Sequence, residues 1–148
     1  AKETVDSVLA QTSPHWTLTV VDDAYPGTEL AEYVSGIGDD RVRYHRKVEN
    51  EGITENYRTC VAMATRPVTV RLGGDDRLLP NYVSEILAAH SQFPSAAIIQ
   101  PGVRIIDENG VGARPLVDRV KTELVQPRHD GPQVLSGEPL AASLLAGD

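Results

Sequence analysis

The spacing of apolar positions changes several times along the chain, and each change marks an element. Val5, Val8, Leu9 and Thr12 recur at steps of three and four, which places them on one helical face. Ser13-Pro14 stops that helix. Trp16-Thr-Leu-Thr-Val-Val21 is rich in β-branched residues and predicts a strand that ends at Asp22-Asp23. Ala24-Tyr-Pro-Gly27 is turn chemistry. Leu30, Tyr33, Val34 and Ile37 predict the inner face of a second helix, weakened at its end by Gly36 and Gly38. Val42-Arg-Tyr44 predicts a short strand and Asn50-Glu-Gly52 a turn. A third helix is predicted from about Thr54, with Tyr57, Cys60, Val61 and Ala64 in register and Pro67 as its limit. Val68-Thr-Val-Arg-Leu72 predicts the next strand, which runs into Gly73-Gly74-Asp75-Asp76. Pro80 opens a fourth helix, with Val83, Ile86, Leu87 and His90 inward and Pro94 at its end. Ala96–Gln100 and Val103–Ile106 are strand-like, followed by a turn at Asp107-Glu-Asn-Gly110. Beyond Gly112 the pattern fades, and the Ala-rich stretch from Pro139 predicts one more helix.

Helix and strand alternate in this order, which argues for an α/β fold with a mostly parallel sheet. Ligands of such sheets bind beyond the C-terminal ends of the strands. Both acidic pairs, Asp22-Asp23 and Asp75-Asp76, are predicted to lie there.

Composition narrows the function. The 148 residues suit one domain, 41% hydrophobic content supplies a core, and 24% charged residues argue against disorder. A net charge of -7 repels phosphate backbones and excludes nucleic acid as a natural partner. A single nucleotide remains compatible, because one divalent cation inverts the local field. The single cysteine, Cys60, makes an internal disulfide impossible and is expected to be a buried, inert thiol. His15, His45, His90 and His129 show no metal-ligand spacing. No apolar run is long enough to span a membrane, and no leader is visible. The chain opens on Ala-Lys-Glu, so the natural start is expected further upstream. A reducing, cytoplasmic setting is the expectation, with the inner face of a membrane open to a longer protein.

The acidic pairs are the chemistry. Adjacent carboxylates repel and call for a cation, and Mg²⁺ or Mn²⁺ commonly uses one or two carboxylates plus substrate phosphates. Glycine before Asp75 lets a diphosphate approach the backbone. One pair alone would read as ordinary turn and cap residues, but two pairs at two strand tips favour a site. Arg71 is placed to pair with the second tip, and Trp16 reads as a core residue.

Ser7-Val-Leu-Ala-Gln-Thr-Ser-Pro-His-Trp-Thr-Leu-Thr-Val-Val-Asp-Asp23 resembles the opening of family 2 glycosyltransferases with the GT-A fold. Arg41-Val-Arg-Tyr44, then Asn50-Glu-Gly52 with Asn56, resemble the strand and turn that follow in that family. Leu72-Gly-Gly-Asp-Asp-Arg-Leu-Leu-Pro80 resembles its acidic DXD region, and Ile105-Ile-Asp-Glu-Asn-Gly110 its later hairpin. The motifs run in order from about Thr4 to Gly110, and five in sequence make a specific signal.

The resemblance implies a three-layer α/β/α sandwich of the GT-A type and transfer of a sugar from a nucleotide diphosphate sugar donor, usually with inversion. The acceptor would be a sugar, glycan or lipid-linked molecule, with bacterial polysaccharide as the family's common product. Asp23, with Asp22 beside it, and Asn50 are implied on the nucleotide side, where Asn50, Gly52 and Asn56 read equally well as a turn and helix cap. Asp75 and Asp76 are implied to bind the metal, Mg²⁺ or Mn²⁺. Gly73 departs from the family, since many members carry the first Asp of the motif there. Residues 1–112 are implied to be the nucleotide-sugar core and 113–148 the start of the acceptor side. The first strand is expected before Ala1 and the catalytic base beyond Asp148. A chain of this extent is expected to turn over little donor and to self-associate through the open sheet edge.

Two rival readings keep the same residues. A receiver-type signalling domain also carries an acidic pair after a Val-rich strand, but needs a lone acceptor Asp and later Thr/Ser and Lys positions, and Lys121 lies in a poorly patterned stretch. A nucleotide-binding piece without turnover is the other.

Overall fold

The computed structural model describes residues 1–107, 110–112 and 134–138. The chain divides into two compact units, Ala1–Leu87 and Ala88–Asp148.

The first unit opens with α1 (Lys2–Leu9), whose Val5 and Val8 are buried as the spacing predicts. The strand that follows, β1 (Leu18–Asp22), starts later than the β-branched run and takes in the first Asp. After α2 (Glu29–Ser35), which buries Val34, comes β2 (Val42–Arg46). The strands are parallel, with Leu18 opposite Val42 and Asp22 opposite Arg46. The connection through α2 is the crossover that parallel pairing requires. Two more backbone bonds extend the ladder: Leu18 N–H donates to the Arg41 carbonyl (2.9 Å) and Lys47 N–H to the Asp22 carbonyl (2.9 Å). Then come α3 (Ile53–Ala62) and α4 (Tyr82–Gln92). Among the described residues the buried apolar side chains are Val5, Val8, Val34 and Ile86.

Several expectations are corrected. The predicted strand at Val68–Leu72 makes no ladder hydrogen bonds, and among the described residues the sheet has two strands. A five-residue run with three β-branched residues has the right propensity, but a strand exists only where a neighbour supplies its backbone partners. The acidic pair after it therefore sits in a turn, where Asp76 N–H donates to the Gly73 carbonyl (3.3 Å), rather than at a strand tip. The face predicted inward on α3 is not buried: Tyr57 is 41% and Val61 69% exposed, and Cys60 is half-buried. Leu87 on α4 is also exposed, although its neighbour Ile86 is buried. Trp16 is half-buried, with the Arg41 guanidinium 3.8 Å above its ring.

In the second unit, the strand-like segments 96–100 and 103–106 form no strand, and Ile98 and Val103 are exposed. Ile106 and Gly112 form one antiparallel bridge. The turn predicted at Asp107 is closed by Gly110 N–H to the Asp107 carbonyl (2.9 Å), with Gly110 in the left-handed region at φ 76°. Glu108, Asn109, Lys121, His129 and the helix predicted from Pro139 lie outside the described residues. No helix among the described residues is long and apolar enough to cross a membrane.

Candidate functional site

Asp22 ends β1, and its side chain is only 2% exposed. One carboxylate oxygen accepts Tyr25 N–H (2.8 Å), which closes the turn after the strand. The other accepts the Tyr44 hydroxyl and Arg46 Nη1 (3.2 Å) from β2. Arg46 also donates to the Gly27 carbonyl (2.9 Å) and, through Nη2, to the Tyr25 carbonyl (2.9 Å). A buried carboxylate needs such partners, because desolvation without them costs several kcal/mol. Burial and the Asp22 carboxylate together raise the Tyr44 phenol above its ordinary pKa. Asp22 thus locks the loop at 25–27 onto the sheet. Both of its carboxylate oxygens have partners within the protein.

Asp23, one residue on, is 14% exposed. Its carboxylate forms an ion pair with Lys47 Nζ (3.0 Å) and accepts Glu51 N–H (3.2 Å) and Gly52 N–H (2.9 Å). Lys47 Nζ also pairs with Glu51 at 2.7 Å, and the Lys47 side chain is 7% exposed. Burial alone would raise the Asp23 pKa, but the Lys47 hydrogen bond and the two backbone N–H groups outweigh it and hold the carboxyl below its ordinary value. Burial works against the Lys47 charge as well, and Glu51 and Asp23 outweigh it, so its pKa is raised. Asp23 stays ionised. A carboxylate offers about four acceptor sites, so three donors leave room for one more.

Gly52 explains the Asn-x-Gly turn. Its φ of 86° lies in the left-handed region, which side-chain-bearing residues rarely adopt, and it is this backbone that turns the N–H onto Asp23. Asn50 Oδ1 accepts the same N–H at 3.1 Å. Asn50 therefore shapes the loop that holds Asp23. Asn56, on the first turns of α3, has a buried amide oxygen without a hydrogen-bond partner.

The second acidic pair is arranged differently. Asp75 and Asp76 are both exposed. Gly73 lies beneath them: a Cβ there would fall 2.7 Å from Asp76 Oδ2 and 2.9 Å from Asp75 Oδ1. Both carboxylates thus lean over the space that the missing side chain leaves. Gly73 N–H donates to Asp76 Oδ2 at 3.3 Å. Arg71, expected to pair with this tip, instead stacks on Tyr57 at 3.8 Å. No hydrogen bond or ion pair among the described residues joins this pair to Asp22-Asp23.

No group of three or more His, Cys, Asp or Glu side chains among the described residues could hold a metal alone. Two adjacent carboxylates over a glycine cradle fit a different arrangement, in which a hard cation takes one or two protein oxygens and completes its shell with phosphates and water.

The chain that carries this ionised carboxylate and this acidic pair over a glycine turn belongs to glycosyl transferase family 2, which it matches over residues 1–136. It is similar to "Putative glycosyltransferase EpsE" of Bacillus subtilis (strain 168), 28% identical over 117 residues, which are 77% of this chain and 42% of that protein. It is also similar to "Putative colanic acid biosynthesis glycosyl transferase WcaA" of Escherichia coli (strain K12), 28% identical over 96 residues, 64% of this chain and 34% of that protein. The chain thus matches less than half the length of these relatives. No solved structure matches it significantly. Membership of this family removes the receiver-domain reading.

Motif reading passed over the partners of the acidic residues. Lys47 sits between Asp23 and Glu51, and Tyr44 and Arg46 hold Asp22. The signal was present: Tyr44 and Arg46 alternate on the strand opposite Asp22, and Lys47 lies four residues before Glu51. Thr4, Ser7 and Gln11 were also missed as partners of the acidic turn.

Proposed function

We propose that this chain forms the donor side of an inverting glycosyltransferase that uses Mg²⁺ or Mn²⁺ and takes a nucleotide diphosphate sugar as donor. The acceptor is a sugar, glycan or lipid-linked molecule, and the setting is polysaccharide assembly at the cytoplasmic face of a membrane. The colanic acid in one relative's name supports that setting. The family supports a GT-A sandwich, with residues 1–112 as its nucleotide-sugar core and 113–148 leading to the acceptor side.

The observation that carries the reading is the cradle at Gly73, where two carboxylates share a space that a side chain would fill. Asp75 and Asp76 would hold the cation from there. When bound, the cation neutralises charge on the departing nucleoside diphosphate. Gly73 and Gly74 keep the backbone bare, so phosphate oxygens can approach closely. Asp23, ionised and with one acceptor site left, takes a hydroxyl or ring N–H of the nucleoside, while Asn50 and Gly52 hold it in place. Asp22 works one layer behind, fixing the loop through Tyr25, Tyr44 and Arg46.

Calorimetric titration with UDP, with Mn²⁺ and then with EDTA, tests this. The expected result is Mn²⁺-dependent binding that Asp75→Ala or Asp76→Ala abolishes. Binding indifferent to EDTA, or none with UDP, GDP and dTDP in turn, would overturn it.

A further inference from the structure

The acidic turn is held in place by a helix rather than by a sheet. No ladder bond reaches Val68–Leu72, yet the segment from Gly74 to Val83 is tied down along its length by one edge of α1 and the turn after it. Thr4 Oγ1 donates to the Gly74 carbonyl at 2.8 Å. Ser7 Oγ accepts Leu78 N–H at 3.0 Å while donating to the Thr4 carbonyl at 2.6 Å. Gln11 uses its whole amide: Nε2 donates to the Leu79 carbonyl (2.8 Å) and the Ser7 carbonyl (3.0 Å), and Oε1 accepts Val83 N–H (2.9 Å). Thr12 donates to the Pro80 carbonyl through its N–H (2.9 Å) and its hydroxyl (3.1 Å). Glu3 pairs with Arg77, the residue directly after Asp76.

These anchors fall on both sides of the acidic pair, at Gly74 before it and at Arg77 and Leu78 after it. Thr4 and Ser7 lie three residues apart on one face of α1, and Gln11 follows in the turn after it. The buried Val5 and Val8 adjoin this face, and Thr4 is itself buried, so the anchoring side chains sit at the edge of the small core. We infer that Thr4, Ser7 and Gln11 are positioning residues for the donor site: they set where the Asp75 and Asp76 carboxylates stand. This rests on the reading that Asp75 and Asp76 hold the cation.

The test compares Gln11→Ala and the milder Ser7→Ala with Val8→Ala, which weakens the core but keeps every anchoring side chain, and with Asp76→Ala. Mn²⁺ binding in the presence of UDP is followed by electron paramagnetic resonance, and amide exchange is followed at Asp76, whose N–H bonds Gly73. Loss of anchoring bonds is expected to weaken Mn²⁺ binding about tenfold in Gln11→Ala and less in Ser7→Ala. Exchange at Asp76 should quicken in both variants, and Val8→Ala should change neither reading. Unchanged Mn²⁺ affinity in Gln11→Ala and Ser7→Ala, or an equal loss in Val8→Ala, would overturn the inference. If the unaltered chain binds no Mn²⁺, the metal reading fails by itself. Amide exchange then decides alone, and unchanged exchange at Asp76 in Gln11→Ala would overturn the positioning role as well.

Discussion

The two acidic pairs look alike in sequence and are built in opposite ways. Asp22-Asp23 ends a strand that is hydrogen-bonded along its length, and every carboxylate oxygen there has a partner inside the protein. Asp75-Asp76 sits in an exposed turn without a ladder, its oxygens gathered over a glycine and its position set by side chains of α1. The first pair spends its charge on structure and leaves one acceptor site for a ligand. The second keeps its charge outward, where a cation can collect it. An identical dipeptide therefore says little until its neighbours are counted.

Substitution should separate the pairs most sharply in stability. Asp22→Ala leaves the Tyr44 hydroxyl and Arg46 without their acceptor and should cost about 3 kcal/mol in urea unfolding, whereas exposed Asp76→Ala should stay within about 0.5 kcal/mol. Equal costs would erase the contrast. The glycines give a smaller version of the same comparison. Gly52→Ala must force a side chain into the left-handed region and should cost about 1–2 kcal/mol. Gly73, with an ordinary φ, meets only movable carboxylate ends, so Gly73→Ala should cost under about 0.5 kcal/mol and lose Mn²⁺ binding instead.

The smallest expected effect lies in pH. The folded Asp23 carboxyl sits below its ordinary 3.8, so its contribution is complete above that value and is lost as pH falls through the folded one. The raised Lys47 behaves in the opposite sense: its contribution is complete below its ordinary 10.5 and fades as pH rises through the folded value. Urea midpoints should therefore fall at both extremes, and Asp23→Asn should flatten both limbs. Asp39, held at about 2 by Arg41, gives the unaltered chain a further acid-side loss that Asp39→Asn removes.

What the sequence revealed follows from what each signal depends on. Val5, Val8 and Val34 were legible because helical burial follows a local period. The end of β1 was legible because β-branched residues and a double Asp coincide there. Val68–Leu72 misled because strand propensity is local, while a ladder depends on a neighbour elsewhere in the chain. Ser7 and Gln11 were visible as part of a motif, but their meaning, like that of Thr4, lay in Gly74, Leu78 and Val83, roughly seventy positions away. For the site, the residues were legible and their division of labour was not: nothing local tells Asp22 from Asp23.

That separation along the chain has a consequence for how the protein is made. The anchors of the acidic turn join residues 68 to 74 positions apart, whereas the β1–β2 pairing spans 24 at its tip. Closing a longer loop costs more entropy and returns nothing until the last contact forms. The sheet and its Asp22 lock can assemble early, and the acidic turn joins late, as a finishing step on an already folded frame. Folding kinetics of Ser7→Ala and Gln11→Ala should then show unchanged folding rates and faster unfolding, the signature of contacts absent from the transition state.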